Sequence, residues 1–508
     1  MKCLFWVTAS LICFAAFSAD FITYEEFGAV GDGKTDDQTA IVKAHAAANE
    51  RGIPVRAGDG KTYYIGSGTT TAIIQTDVDF GSAKFIIDDS NVSVKNRGAA
   101  IFHIAPSQKP FAVKGVDKLV RGQQNLDIAL PSSCLVIVAN RTKKQYIRYG
   151  ANQNNGNPQQ EVILVGADGS IDPHAPIVWD FEKITGMTAY PVDAKPLVIR
   201  GGFFTTIANQ AESKYNYYGR NFIVRRSNVR IEGLRHEITG ELDHGAPYGG
   251  FLAISQCANV MVTGCVFTAH KTYRTIGAAG VPVSMGSYDL TANSAVNISF
   301  VHCRQTTDIL NGNYWGLLGS NYCKNLLYDD CVFSRFDAHM GVANATIRNS
   351  KLGYMGINAI GFGTFLVENS TVYGGNFFNL RSDYGSTWEG EFIVRNCTFI
   401  PSCGRKAIGN LVGGSYSGQH DFGYVCHMPR RIVFDGLTID DSNHPETYQG
   451  PMIFSVFNKA NTSAAYVEKY PYQITEEVVL RNVKTASGKP VNLSANPHMF
   501  RNVKVTRD

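Results

Sequence analysis

The sequence predicts an all-β solenoid: a right-handed parallel β-helix closed at its amino-terminal end by a capping helix. Three observations carry this prediction. A strand-and-turn phrase recurs down the chain, its copies close at about 20-residue spacing where they are adjacent, and long helical periodicity is absent beyond the first segment. A doubly wound α/β sheet is disfavoured on the last ground.

The phrase reads Asn259-Val-Met-Val-Thr-Gly-Cys265, Asn297-Ile-Ser-Phe-Val-His-Cys303, Asn325-Leu-Leu-Tyr-Asp-Asp-Cys331 and Asn344-Ala-Thr-Ile-Arg-Asn-Ser350. Further copies close at Leu234, Ser370, Cys397, Leu437, Val483 and Val503. Apolar and polar residues alternate, the run breaks at Asn or Gly, and a small or apolar residue resumes it. That is a short strand, a tight turn and a second strand. Cys331, Ser350 and Ser370 follow one another at intervals of 19 and 20 residues, one solenoid coil each, and the longer intervals are coils with insertions. The closing side chains should therefore stack inside, which spends several cysteines as core. Asparagine at the turns suits left-handed backbone and local hydrogen bonding.

Composition fits a large exported protein. The 508 residues are 44% hydrophobic and 18% charged, with 47 basic against 43 acidic side chains and a net charge of +4. No field for nucleic acid follows from that balance. Lys2 and the apolar run Leu4–Phe17, too short to cross a bilayer, precede Ala16-Phe17-Ser18. Residues 1–18 are predicted to be a signal peptide and 19–508 one β-helix domain with a cap over about 19–75, secreted or periplasmic, without a membrane span. Of 11 cysteines, loss of Cys3 and Cys13 leaves nine with no regular disulfide or zinc spacing.

Phe21–Tyr24 reads as a strand, and Asp36 and Asp37 can cap a helix from about Gln38 to Glu50 whose Ala-rich face covers the open stack. The stretch from about 75 to 200 reads as early coils with insertions. Within the cap, Phe27-Gly-Ala-Val-Gly-Asp-Gly-Lys-Thr-Asp-Asp-Gln-Thr-Ala-Ile41 resembles the entry motif of the pectate-lyase-like β-helix superfamily. That resemblance implies a parallel β-helix acting on, or binding, carbohydrate; it leaves the reaction open.

Candidate site residues come from counting outward from the closing positions, because equivalent offsets in successive coils share one outer wall. His270 and Tyr273 follow Cys265; Arg335, Asp337 and His339 follow Cys331; Tyr354 follows Ser350; Arg381, Asp383, Tyr384 and Trp388 follow Ser370. Tyr288, Trp315 and Asn321 join them from the insertions. Aromatic plates beside guanidinium forks are what a sugar acid needs. His270, Arg335, His339, Tyr354 and Arg381 are the candidate catalytic set, with Tyr273, Tyr288, Trp315, Asn321, Asp337, Asp383, Tyr384 and Trp388 as substrate contacts. Bland rivals exist for each: a solvated loop histidine at 270, a surface ion-pair ladder at 335, 337 and 339, a packed tyrosine at 354.

This set suits β-elimination on a uronic acid. An arginine neutralises the carboxylate, a neutral His or Tyr removes the C5 proton, and a Tyr or His protonates the departing oxygen at C4. The base stays open between His270, His339 and Tyr354. No carboxylate cluster for calcium is evident, so no metal or other cofactor is expected. The expected partner is an acidic polysaccharide or oligosaccharide. The export signal, solenoid and His/Arg/Tyr set also resemble the glycosaminoglycan lyases of polysaccharide lyase family 29, which implies a uronate substrate of that kind. Two alternatives remain: an inverting glycoside hydrolase using Asp308, Asp337 or Asp383, and a non-catalytic carbohydrate-binding solenoid.

Overall fold

The computed structural model describes residues 20–211, 217–242 and 248–508. The predicted export signal lies outside the described residues. From Ile22 onward the chain winds as a parallel β-helix whose coils each contribute strands to three long parallel sheets.

The recurring phrase forms the first sheet and opens the second. Val260, Ile298, Leu326, Ala345, Phe365, Phe392, Ile432 and Val478 pair in register one above another, all buried. Each fully buried side chain of this size contributes on the order of 1.5–3 kcal/mol. The turn behind this sheet is an asparagine ladder. Asn228, Asn259, Asn297 and Asn325 all hold positive φ near 58°; the last three each donate the side-chain amide to the amide oxygen of the one below at 2.8–2.9 Å, and Asn228 donates to the Asp193 carbonyl. The predicted internal stack is present: Leu234, Cys265, Cys303, Cys331, Ser350, Ser370, Cys397 and Leu437 are buried, the cysteines unbridged. Burial pushes the Cys397 thiol up to about 11, as expected of a packed hydrophobe.

The second sheet aligns Val266, Arg304, Val332, Lys351, Thr371 and Thr398. The third aligns Phe102, Phe222, Leu252, Leu290 and Leu318, and further along Phe336, Ile357, Phe378, Val412 and Phe454.

The capping helix spans Gln38–Arg51 and buries Ala40, Ile41, Ala44, His45 and Ala48 against the open end. Asp36 receives the Gln38 N–H at 3.0 Å. Asp37 does not cap; its carboxylate turns back to the N–H groups of Val30 and Gly31. The helix leaves through Gly52 at φ 67°.

The region from 75 to 200 differs from expectation. Val78–Asp88 pairs directly with Leu197–Ile207, so only one coil runs through it. Between Phe102–Ile104 and Leu197 the chain leaves the solenoid and forms an antiparallel sheet of Phe111–Ala112, Cys134–Gln145, Asn157–Val165 and Gly186–Pro191. Val136, Val138, Ile163, Phe181 and Met187 give it an apolar core of its own. This insertion docks along the solenoid, where Leu135 and Val162 pack on Ala258 and Val296. Buried Glu161 receives the Lys324 ammonium at 2.5 Å and the N–H groups of Val178 and Trp179 at 2.9 and 3.0 Å. Among the described residues no helix is long and apolar enough to cross a membrane.

Candidate functional site

The third sheet carries a dense, buried group of charges. Asp337, Asn358, Asn379 and Gly413 occupy one register position in four successive coils. Arg335 lies two residues before Asp337 on the same strand face, and Arg381 two after Asn379. Burial of these charges is offset by the ion pairs and hydrogen bonds that they form with one another. Arg335 reaches Asp337 at 2.8 Å, Arg381 reaches Asp337 at 3.3 Å and Asp383 at 2.9 Å, and Arg148 reaches Asp383 at 2.7 Å. Tyr288 donates its hydroxyl to Asp337 at 2.6 Å. Three guanidiniums thus face two carboxylates, which leaves one positive charge unbalanced.

Burial alone would raise the Asp337 pKa, but Arg335 and Arg381 outweigh it and hold the carboxyl below its ordinary value. Asp383 follows the same balance, with Arg381 and Arg148 winning. Both aspartates are therefore ionised, and neither holds a proton to donate.

Arg335 is the floor of the arrangement. Its side chain is 3% exposed and its guanidinium lies 5.0 Å from the Trp315 ring centre and 5.5 Å from that of Tyr288. Its Nη2 serves Asp337, while Nε and Nη1 are buried with no hydrogen-bond partner among the described residues. Gly316, at φ 127°, permits this approach: a Cβ there would stand 2.9 Å from the Arg335 Cβ. A cleft of about 490 Å³ opens over the group, lined by Trp315, Arg335, Asn358, Asn379, Arg381 and Asp383, with Ser415 and Ser455 beyond.

His339 lies beside this cleft, next to Arg381 and Asp383, and does not line it. Its Nδ1 is 2.8 Å from Asn321 Oδ1, which must accept, so Nδ1 carries the proton and Nε2 the lone pair. Burial, then Arg381, hold its pKa down to about 3. The Tyr384 ring stands edge-on to it at 5.3 Å and also takes the guanidiniums of Arg148 and Arg381 at 5.3 and 5.7 Å. Tyr384 is thus a buried support for the arginines and not a cleft wall.

Several sequence-predicted residues stand elsewhere. Trp388 is fully buried in the first sheet among Phe365 and Phe392, with its indole N–H on the Gly363 carbonyl, and so packs the core and cannot touch a ligand in the cleft. Tyr273 is buried on the hairpin Tyr273–Ile276/Pro282–Met285 and lies outside the cleft lining. Tyr354 sits where a register shift between Phe333 and Arg335 pairs Arg335 with Gly356. Its hydroxyl donates to the Tyr314 carbonyl, and burial pushes its pKa up to about 12. It keeps its proton and is no base.

His270 is not a solvated loop residue. Its Nδ1 meets Ser287 at 2.7 Å and its Nε2 meets Asp289 at 3.0 Å; His236 meets the same carboxylate at 2.8 Å from the other side. This buried group lies behind the aromatic wall, and the His270 carbonyl accepts the Trp315 N–H at 2.7 Å. His270 does not line the cleft. Burial lowers its pKa, but Asp289 more than offsets that and raises it, while the two imidazoles hold Asp289 low. The raised histidine adds stability below the unfolded pKa, lost as pH rises through the folded value; the depressed aspartate adds stability lost on acidification. Asp289→Ala, which strips both imidazoles of their acceptor, is expected to cost about 3–5 kcal/mol in urea unfolding.

Arg148 was beyond sequence reasoning, because it enters from the insertion, far from any coil register. Asn358 and the serines at 415 and 455 were missed too, although Asn358 shares the Asp337 register.

No protein-family model matches the chain. Among curated proteins, the KL64-specific capsule depolymerase of Klebsiella phage P510 is 29% identical over 128 residues, covering 22% of this chain, and this chain spans only 12% of that relative's length. Among solved structures, the tailspike gp61 of Pseudomonas phage phi297 superposes with a TM-score of 0.53 at 14% identity, over 91% of this chain and 80% of that one. The tailspike protein gp49 of Pseudomonas phage LKA1 gives 0.51 at 13% identity, over 95% and 84%. At such identities the likeness is one of fold, and it agrees with the parallel β-helix that the chain forms outside its antiparallel insertion.

Proposed function

We propose that this protein degrades a uronic-acid-containing polysaccharide by β-elimination in the third-sheet cleft. The observation that carries the reading is Arg335: buried, flanked by Trp315 and Tyr288, one positive charge in excess around it, and two guanidinium nitrogens without partners. A sugar carboxylate answers all of these at once, with its ring face on Trp315. The capsule depolymerase to which part of the chain is similar supports a polysaccharide substrate.

In this reading Arg335 takes the C6 carboxylate and draws charge from C5, with Arg381 adding to the field. His339 stands beside the cleft rather than in its lining; neutral and with its lone pair on Nε2, it is the candidate base assigned to the C5 proton. The C4–O bond then breaks and leaves a double bond between C4 and C5, and the departing oxygen takes up the proton removed from C5, returned by the protonated His339. The ionised state of Asp337 and Asp383 favours elimination over inverting hydrolysis, which requires one protonated carboxyl.

Incubation with polygalacturonate, alginate and hyaluronan tests this directly. Growth of the ultraviolet band of an unsaturated uronate is expected with at least one polymer; new reducing ends without that band would contradict the reading. His339→Ala is expected to lower kcat by about 10²–10⁴-fold. Since the His339 pKa lies at about 3, protonation of the base should not limit kcat/KM between neutral pH and about pH 5. A pH–rate profile falling through 6.5 would place the base elsewhere.

A further inference from the structure

A second groove lies around the corner from the cleft, between the insertion and the solenoid. One part, of about 430 Å³, is lined by Lys143, Gln145, Trp179 and Tyr424, and it adjoins another of about 460 Å³ through Arg121, Glu389 and His427. A wall of tyrosines separates the groove from the cleft: Tyr146 packs on Tyr384 and Tyr424 at 6.2 and 4.9 Å, and Tyr424 donates to the Tyr384 carbonyl at 2.7 Å. None of these groove residues lines the cleft over Arg335, although Tyr424 holds the Tyr384 carbonyl.

Gln145 marks the groove as a place for a ligand. It ends the strand Cys134–Gln145 and is fully buried, yet neither its amide oxygen nor its amide nitrogen has a partner among the described residues. Leaving one such group unmet costs on the order of 1–3 kcal/mol, and buried polar atoms are otherwise almost always satisfied. A donor and an acceptor side by side match a vicinal diol or an acetamido group. Beside it Trp179 is half-buried, edge-on to Phe362 at 4.8 Å, and its backbone N–H is fixed by buried Glu161. Arg121 crosses from the insertion to Glu389 at 2.6 Å. A planar aromatic, an unmet amide and flanking cations, set rigidly across two elements, form a site for a sugar ring.

We infer that this groove is a second, non-catalytic saccharide-binding site, which holds a hydroxyl- or acetamido-bearing sugar of the same polymer several rings away from the bond broken over Arg335. The inference rests on the polysaccharide reading above.

Affinity electrophoresis of the full chain through gels containing polygalacturonate, alginate or hyaluronan separates the two ideas. Gln145→Leu is expected to weaken retention by the polymer about tenfold and to keep or raise the melting temperature, since it removes an unmet buried amide; a merely structural glutamine would lose stability instead. Trp179→Ala and the exposed Lys143→Ala should weaken retention as well, with KM for polymer rising more than kcat falls. Wild-type retention in Gln145→Leu and Lys143→Ala would overturn the inference, even if the ultraviolet band still appears. Retention that depends on Gln145 without any ultraviolet product would sustain the groove and sink the elimination. Failure of all three polymers to retain the wild type would overturn the groove.

Discussion

Arg335→Ala is expected to lower kcat/KM by about 10²–10³-fold while leaving the protein folded. The magnitude is that of removing one preorganised charge from a water-poor site where negative charge develops. Folding should survive because Asp337 keeps Arg381 at 3.3 Å and the Tyr288 hydroxyl at 2.6 Å, so no carboxylate is left bare. Arg335→Lys should recover little. The ammonium restores the charge but not the planar fork lying against Trp315 and Tyr288, nor two donors directed at one carboxylate. Steady-state kinetics with the cleaved polymer and a melting curve for each variant check this. Full activity in Arg335→Ala would remove the basis of the proposed function.

The second large effect concerns stability. Lys324→Met is expected to cost about 3–5 kcal/mol, because it leaves the Glu161 carboxylate buried without its cation. Lys324 is a first-sheet residue of the solenoid, whereas Glu161 belongs to the insertion, and the pair lies at 2.5 Å with both side chains at or below 3% exposure. The lysine also donates to the Pro176 carbonyl. Loosening this contact should free the insertion's hold on the cleft, since Arg148 reaches Asp383 from the same insertion. Urea unfolding should then show the midpoint falling, and activity should fall with it. An unchanged midpoint would mean that apolar packing of Leu135 and Val162 on Ala258 and Val296 holds the insertion unaided.

The solenoid was legible because its physics repeats. The Asn at each turn, the alternating strand and the small closing residue recur wherever a coil must stack on a coil, so Cys265, Cys303, Cys331 and Ser350 announce one internal column. The insertion was not legible, since its strands pair with each other and with no coil: the alternation in Cys134–Gln145 looks the same whether the partner is parallel or antiparallel. Arg335, Asp337, His339 and Arg381, grouped by register counting, lie near one another in the structure. The counting failed where local geometry departs from the repeat. Tyr354 falls beside a register shift, and Trp388 begins the next first-sheet strand, so its alternation points it inward. For His270, the sequence carried no sign that Asp289 and His236 would enclose it.

In the proposed elimination the bond is broken without consuming water. Mass spectrometry of the products from a defined uronate oligosaccharide measures this directly. The fragment masses are expected to sum to that of the substrate, with the non-reducing-end uronate of the new fragment unsaturated. Fragments that together weigh one water more than the substrate for each bond cut would contradict it.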